Sequence, residues 1–237
     1  MSTERGESPN PFPAGPVLML WIVLSLMLQG AIWVSGARSA ALADSVEFGT
    51  GRVETRGIGE VGDDVIRKAI AIQHDTSKFW TVLALFGDFV VEPLSLVFRA
   101  GTVAMLFGGI ALLRSRSGSF ASGFSACALA QGFWVLGLAL RAALAIGLKR
   151  SEIETSPTLL LPPGTHPGLV WAILQQFDIF ALLGWVAMAK CGVVRMRAGV
   201  VPSVLICLVL FLLEAVVRLQ FSLVIEAGMR LTLMPEV

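Results

Sequence analysis

The chain has 237 residues, 55% of them hydrophobic and 15% charged, with a formal net charge of +1 and a mean hydropathy of +0.78. A soluble domain carries roughly 45–50% apolar and 25% charged residues, so an ordinary water-soluble globule is excluded, and the near-neutral charge supplies no basic field for nucleic acid. A bilayer span takes about 20 apolar residues, so five spans would fill about half the chain and leave little for a separate catalytic domain.

Residues 1–16 are rich in proline and read as a disordered cytoplasmic tail. The uncharged run 17–37 follows and is predicted to be the first span. Ala41-Leu42-Ala43 imitates a signal-peptidase site, but a signal peptide has an apolar region of about 7–15 residues and a basic head. Here the run is longer, and Arg5 is balanced by Glu4 and Glu7, so the segment is expected to be retained. Residues 38–78 hold six Lys/Arg against seven Asp/Glu and carry glycines at 49, 51, 57, 59 and 62. This stretch is predicted to be an extracytoplasmic loop or short hairpin, too small for a core of its own. From Val65 the apolar spacing turns helical, with Ile66, Ala69, Ile70 and Ile72 set against Arg67, Lys68 and Asp75. That pattern predicts an amphipathic helix at a membrane surface.

The apolar stretch 79–113 is too long for one span of roughly 30 Å. On the insertion scale each Leu, Ile, Val or Phe contributes about −0.3 to −0.6 kcal/mol and a central acid about +2.5 to +3.5, so Asp88 and Glu92 offset the apolar residues of 79–98. The second span is therefore placed at 93–113, opened by Pro93, with 79–91 at the interface and Arg99 extending to the headgroups. A basic turn with Arg114 and Arg116 leads to a third span, 121–147, which contains Arg141. A proline-rich loop follows Lys149 and Arg150. The fourth span, 169–189, carries Asp178. After a second basic turn, with Lys190, Arg195 and Arg197, the fifth span, 199–219, holds Glu214 and Arg218, and 221–237 forms a C-terminal tail. Both basic turns fall on one side, which the lysine/arginine loop rule makes cytoplasmic, so the N-terminus is expected inside and the C-terminus outside.

Two stretches carry a family resemblance. Residues 110–140, IALLRSRSGSFASGFSACALAQGFWVLGLAL, combine a span, a basic Gly-Ser-Phe turn and a following span; residues 174–194, LQQFDIFALLGWVAMAKCGVV, open a helix with Asp178 and Phe180 and continue through Trp185 to Gly192. Together with the span spacing over roughly 80–220, they resemble the Yip (Ypt-interacting protein) family. The resemblance implies a Yip-like four-span membrane domain over 79–220 behind the first span, a cytoplasmic N-terminus and, for a bacterial-type member, an inner-membrane location. Eukaryotic members are associated with vesicle traffic and Rab-type GTPases. This chain departs from them in its tail of only 16 residues and in its long loop after the first span, so a GTPase partner is not expected.

Seven ionisable residues lie in or beside the predicted spans: Asp88, Glu92, Arg99, Arg141, Asp178, Glu214 and Arg218. Intramembrane charges mark functional sites by default, because each is costly unless paired. Asp88 and Glu92, like Glu214 and Arg218, are four apart and share a helix face. Asp178 is expected to be the most deeply placed acid. Either the charges form interhelical salt bridges, the favoured reading, or they form a proton or ion pathway. Small residues four apart, Ser122, Ala126 and Ala130, and Ala104 and Gly108, predict close helix packing or a subunit face. Trp21, Trp33, Trp80, Trp171 and Trp185 read as interfacial anchors.

No catalytic residue, metal ligand or cofactor is predicted. His74 and His166 sit in polar loops, Cys127, Cys191 and Cys207 form no CxxC pair, and neither HExxH nor GxxxxGK[ST] occurs. The expected protein is an all-α integral membrane bundle of about five spans with an amphipathic interfacial helix. Its expected role is non-catalytic, as a membrane-organising or accessory subunit partnered by the lipid bilayer and by other subunits or a second copy. The alternative is a small transporter or proton-coupled component.

Overall fold

The computed structural model describes residues 13–57, 62–115, 119–148, 155–160 and 169–230, and every regular element among them is helical. The tail before residue 13, Arg116, Lys149, Arg150, His166, most of the proline-rich loop and residues 231–237 lie outside the described residues.

Helix α1 (Ala14–Val34) starts after Pro13 and carries Pro16 in its first turn, where a missing N–H costs no helical bond. It ends where Gly36 takes a φ of +80°, a left-handed conformation that glycine adopts without a Cβ penalty. Helices α2 (Ala37–Gly57) and α3 (Asp63–Phe86) then pack against each other. The expected loop is thus mostly helix. Each glycine costs a helix about 1 kcal/mol, yet α2 finds compensating contacts on both α3 and the last helix. Ala41, Val46 and Ala69 are buried there, so the amphipathic face of α3 is covered at least in part by protein.

The expected break at Pro93 is also corrected. After α3 the chain passes through a π-helical turn, Gly87–Val91, straight into α4 (Glu92–Leu113). The path Asp63–Leu113 is helical over 51 residues, about 76 Å long. A proline at position 93 cannot donate to the carbonyl four residues back. The wide turn absorbs that defect by shifting the preceding bond, so that the Glu92 N–H donates to the Gly87 carbonyl.

Next come α5 (Phe120–Ala130) and α6 (Gly132–Leu148), separated only by Gln131. They follow the predicted third span with one interruption. The predicted fourth span divides into α7 (Leu169–Gln175) and α8 (Ile179–Val194), because Asp178 caps α8. Helix α9 (Val200–Arg230) runs 31 residues, about 46 Å, well past the expected boundary at 219. Among the described residues four helical stretches, Ala14–Val34, Asp63–Leu113, Phe120–Leu148 and Val200–Ile225, are long and apolar enough to cross a membrane, whereas Ile179–Val194 is apolar but shorter. The expectation of about five spans is therefore four such stretches plus one short apolar helix.

The core runs between α1, α4, α5, α6, α8 and α9. It depends on close approach at glycines. A Cβ on Gly192 would stand 2.6 Å from Phe107 and 2.7 Å from the Ser203 hydroxyl, and one on Gly184 would collide with the Trp134 ring. Ala104 and Ala130 are buried as the small-residue pattern predicts, and Gly108 faces Phe120, but Ser122 and Ala126 are only half-buried. The face of α5 that closes tightest carries Gly123 and Cys127 instead. Trp185 is likewise a core residue, edge-on to both Trp134 and Phe211, not an end anchor. Outward-facing apolar side chains are abundant: Met27, Phe98, Met105, Val201 and Val224 are each at least two-thirds exposed, a surface that soluble monomers rarely carry.

Two contacts orient the bundle. The Arg114 guanidinium donates to the Ala198 carbonyl at 2.8 Å, so the α4–α5 and α8–α9 turns lie at one end. At the other end, the Trp33 indole N–H donates to Asp88 at 3.0 Å. The N-terminus of α1 is therefore at the end that carries the basic turns.

Candidate functional site

All seven ionisable residues singled out in the sequence line a single cavity of about 890 Å³, which lies toward the end opposite the basic turns. Each helix delivers them for a local reason. The π-turn, whose wider pitch is a frequent feature of functional sites, brings both Asp88 and Glu92 to the cavity but gives them different partners. Asp88 accepts from Trp33 and from Arg38, whose Nε lies 3.0 Å away. Glu92 faces Arg218 at 3.6 Å.

The centre of the site is Arg99. Its side chain is only 4% exposed, so it does not extend to headgroups as its position near a span end suggested. The guanidinium makes a bidentate pair with Glu214, Nε to Oε2 at 2.9 Å and Nη2 to Oε1 at 2.6 Å. Its third nitrogen, Nη1, donates to Gln131 Oε1 at 3.0 Å, and the plane lies 4.2 Å from the Trp134 ring centroid. This is the geometry in which arginine, unlike lysine, tolerates burial: forked donors on a carboxylate and a flat face on an aromatic. Gln131 is fully buried and donates onward to the Cys127 carbonyl and Met188 sulfur, both at 3.3 Å. Gln131 thus uses the interruption between α5 and α6 to satisfy a charge on α4.

The Glu214–Arg218 pair forms as its spacing predicts, at 2.9 Å along one face of α9. Arg218 bridges Glu214 to Glu92, so a chain of alternating charge runs Arg99, Glu214, Arg218, Glu92. Asp178 is not the deep acid that the predicted fourth span implied. It caps α8: Oδ1 accepts the N–H of Phe180 at 2.7 Å and of Ala181 at 3.4 Å, while Oδ2 accepts the Thr155 hydroxyl at 2.5 Å. A carboxylate is favoured there by two otherwise orphaned amides and by the positive end of the helix dipole. Arg141 also lines the cavity, and its Nε is buried without a hydrogen-bond partner.

Sequence reasoning missed Arg38, Gln131 and Trp134. The sequence places Arg38 at the start of an expected loop. Gln131 and Gln29, which is buried in the cavity wall, carry a usable signal: a lone amide in an apolar run needs a partner as much as a charge does. Among the described residues no group of three or more His, Cys, Asp or Glu is placed to hold a metal ion. His74 is exposed on α3. Comparison with known proteins finds no family model, no curated protein and no solved structure that matches the chain.

Proposed function

We propose that this chain is a non-catalytic integral membrane protein of about five spans whose charged cavity binds a ligand, as in a small carrier or transporter, without proton coupling. The observation that carries the reading is the convergence of seven ionisable side chains, from three long apolar stretches and the cap of the short helix α8, on one cavity of about 890 Å³. Charges that serve only as struts between helices can pair at a closed contact. A void of this size lies instead within the roughly 300–1,000 Å³ of ligand pockets. Proton relay fits poorly, because a relay needs a carboxylate free to gain and lose a proton. Asp88, Glu92 and Glu214 are paired with arginines, and Asp178 is held by three donors.

A second reading, the Yip-like membrane-organising or accessory subunit, is favoured by α9. Only 17% of its apolar window is buried, against 39% for Phe120–Leu148. A partner subunit or a second copy could cover it, as could lipid. A GTPase partner forms no part of this reading. In both readings the end with Arg114, Arg195 and Arg197 faces the cytoplasm of a bacterial inner membrane by the loop rule, and the α2–α3 hairpin stands on the far side.

Native mass spectrometry of the full chain extracted in mild detergent separates the two. The carrier reading expects a small-molecule adduct that disappears in Ala145→Leu, where a larger side chain fills the cavity wall, and substrate flux in proteoliposomes that falls with it. Stoichiometric protein subunits, with no small adduct, would replace it with the accessory reading.

A further inference from the structure

Four arginines and four carboxylates line the cavity: Arg38, Arg99, Arg141 and Arg218, with Asp88, Glu92, Asp178 and Glu214. Three of the arginines are engaged, Arg38 with Asp88, Arg99 with Glu214, and Arg218 with Glu214 and Glu92. Among the described residues Arg141 has no ion pair, and its Nε is buried without an acceptor. Arginine cannot relieve this by losing its proton. The natural candidate for a partner is Asp178. The α6–α8 seam places it at the same level, since a Cβ on Gly137, one turn before Arg141, would lie 2.9 Å from Phe180. That carboxylate is already committed to Thr155 and to the first amides of α8. The cavity's charged side chains thus balance four against four, but Arg141 is the arginine that forms no ion pair among the described residues.

We propose that Arg141 recognises the head of an amphipathic monoanion, a carboxylate or phosphodiester on an apolar tail, bound in this cavity. The proposal rests on the ligand-binding reading above and names its ligand class. A planar guanidinium matches both head groups through two parallel hydrogen bonds. A single guanidinium without an ion pair, at the level of a carboxylate bonded only to neutral donors, suits one negative charge at most, which disfavours a phosphate monoester. Phe98, Trp134, Phe211 and Phe221 in the cavity wall suit the tail.

The test uses the full chain in detergent, read by native mass spectrometry and by thermal unfolding, with four probes: oleate, phosphatidylglycerol, phosphatidylcholine and acetate. Oleate or phosphatidylglycerol is expected to form a one-to-one adduct and to raise the unfolding midpoint. Which of the two does so separates a free fatty-acid source from a membrane-lipid source. Acetate lacks the tail and phosphatidylcholine the net charge, and neither should bind comparably. Arg141→Gln should weaken the adduct roughly tenfold or more, the value of a charge-assisted pair, and abolish the ligand-dependent rise in midpoint. Without ligand it should unfold no earlier than the wild type, since it removes an unpaired charge. Arg141→Met, which keeps the apolar stem, is the second charge-removing variant.

Equal adducts in wild type and Arg141→Gln overturn the assignment. If Ala145→Leu still abolishes them, the cavity reading survives; if neither variant matters, or no probe binds, both fail. Equal binding of phosphatidylcholine overturns the requirement for a net anion. Failure of both arginine variants to fold would make Arg141 structural and overturn the proposal.

Discussion

Where α4 meets α5 and α8 meets α9, the bundle is closed by contact: Gly123 lies against Met196, Gly192 against Phe107 and Ser203, and Ala104 and Ala198 are fully buried. At the opposite end the same helices part around a cavity walled by arginines and carboxylates. The difference lies in residue size and in where polarity falls along each helix. Small residues on α5 and α8 let backbones approach until dispersion fills the space. Long charged side chains on α4 and α9 must instead reach each other, and paired charges at the ends of long stems leave room between the helices that carry them. One end is closed by contact, and the other holds the charged cavity.

The contrast can be broken or sharpened by substitution, and the largest effect belongs to the buried pair. Glu214→Leu leaves Arg99 buried without its carboxylate and should cost about 3 kcal/mol, read as an early unfolding midpoint in detergent by tryptophan fluorescence. Pairing it with Arg99→Met should recover most of that loss, since an apolar replacement for both partners is often near neutral. If the double variant is no better than the single one, the pair's role lies beyond mutual satisfaction. At the closed end Gly192→Val forces a side chain into Phe107 and Ser203 and should cost about 2 kcal/mol, with no loss of ligand binding in the cavity. A cavity-binding defect in that variant would show the two ends to be coupled.

Smaller effects test the rim. Asp178→Ala removes the α8 cap and should cost about 1 kcal/mol, whereas Asp178→Asn retains a capping oxygen and should be close to wild type in the same melt. A large defect in the Asn variant would return Asp178 to the charge chemistry that its sequence position suggested. Arg38→Ala breaks a pair whose arginine is 40% exposed and should cost about 0.5 kcal/mol, shrinking further in high salt. A salt-independent loss would mean that Arg38 holds the π-turn in place by packing and not by charge.

Much of the fold is legible in the residues alone. Apolar runs of span length, the two basic turns and their common side, the Glu214–Arg218 pair and the seven ionisable candidates all follow from composition and spacing, because the cost of placing polar groups in apolar surroundings acts on local sequence. Helix α3 is announced by its spacing from Val65, but helix α2 is not legible. Glycine and charge lower its intrinsic helix propensity, and its compensation comes from α3 and α9, which are distant in sequence. Nor can spacing distinguish Arg99 extending outward from Arg99 reaching inward, because that outcome depends on Glu214 and Gln131, 115 and 32 residues away. Asp178 moves from mid-span to helix cap for the same kind of reason: Thr155 and two freed amides satisfy it only once the chain turns there. The sequence by itself determined which groups must be satisfied. The tertiary structure alone decided which of them meet, because pairing energy falls off within a few ångströms and only the packed bundle sets those distances.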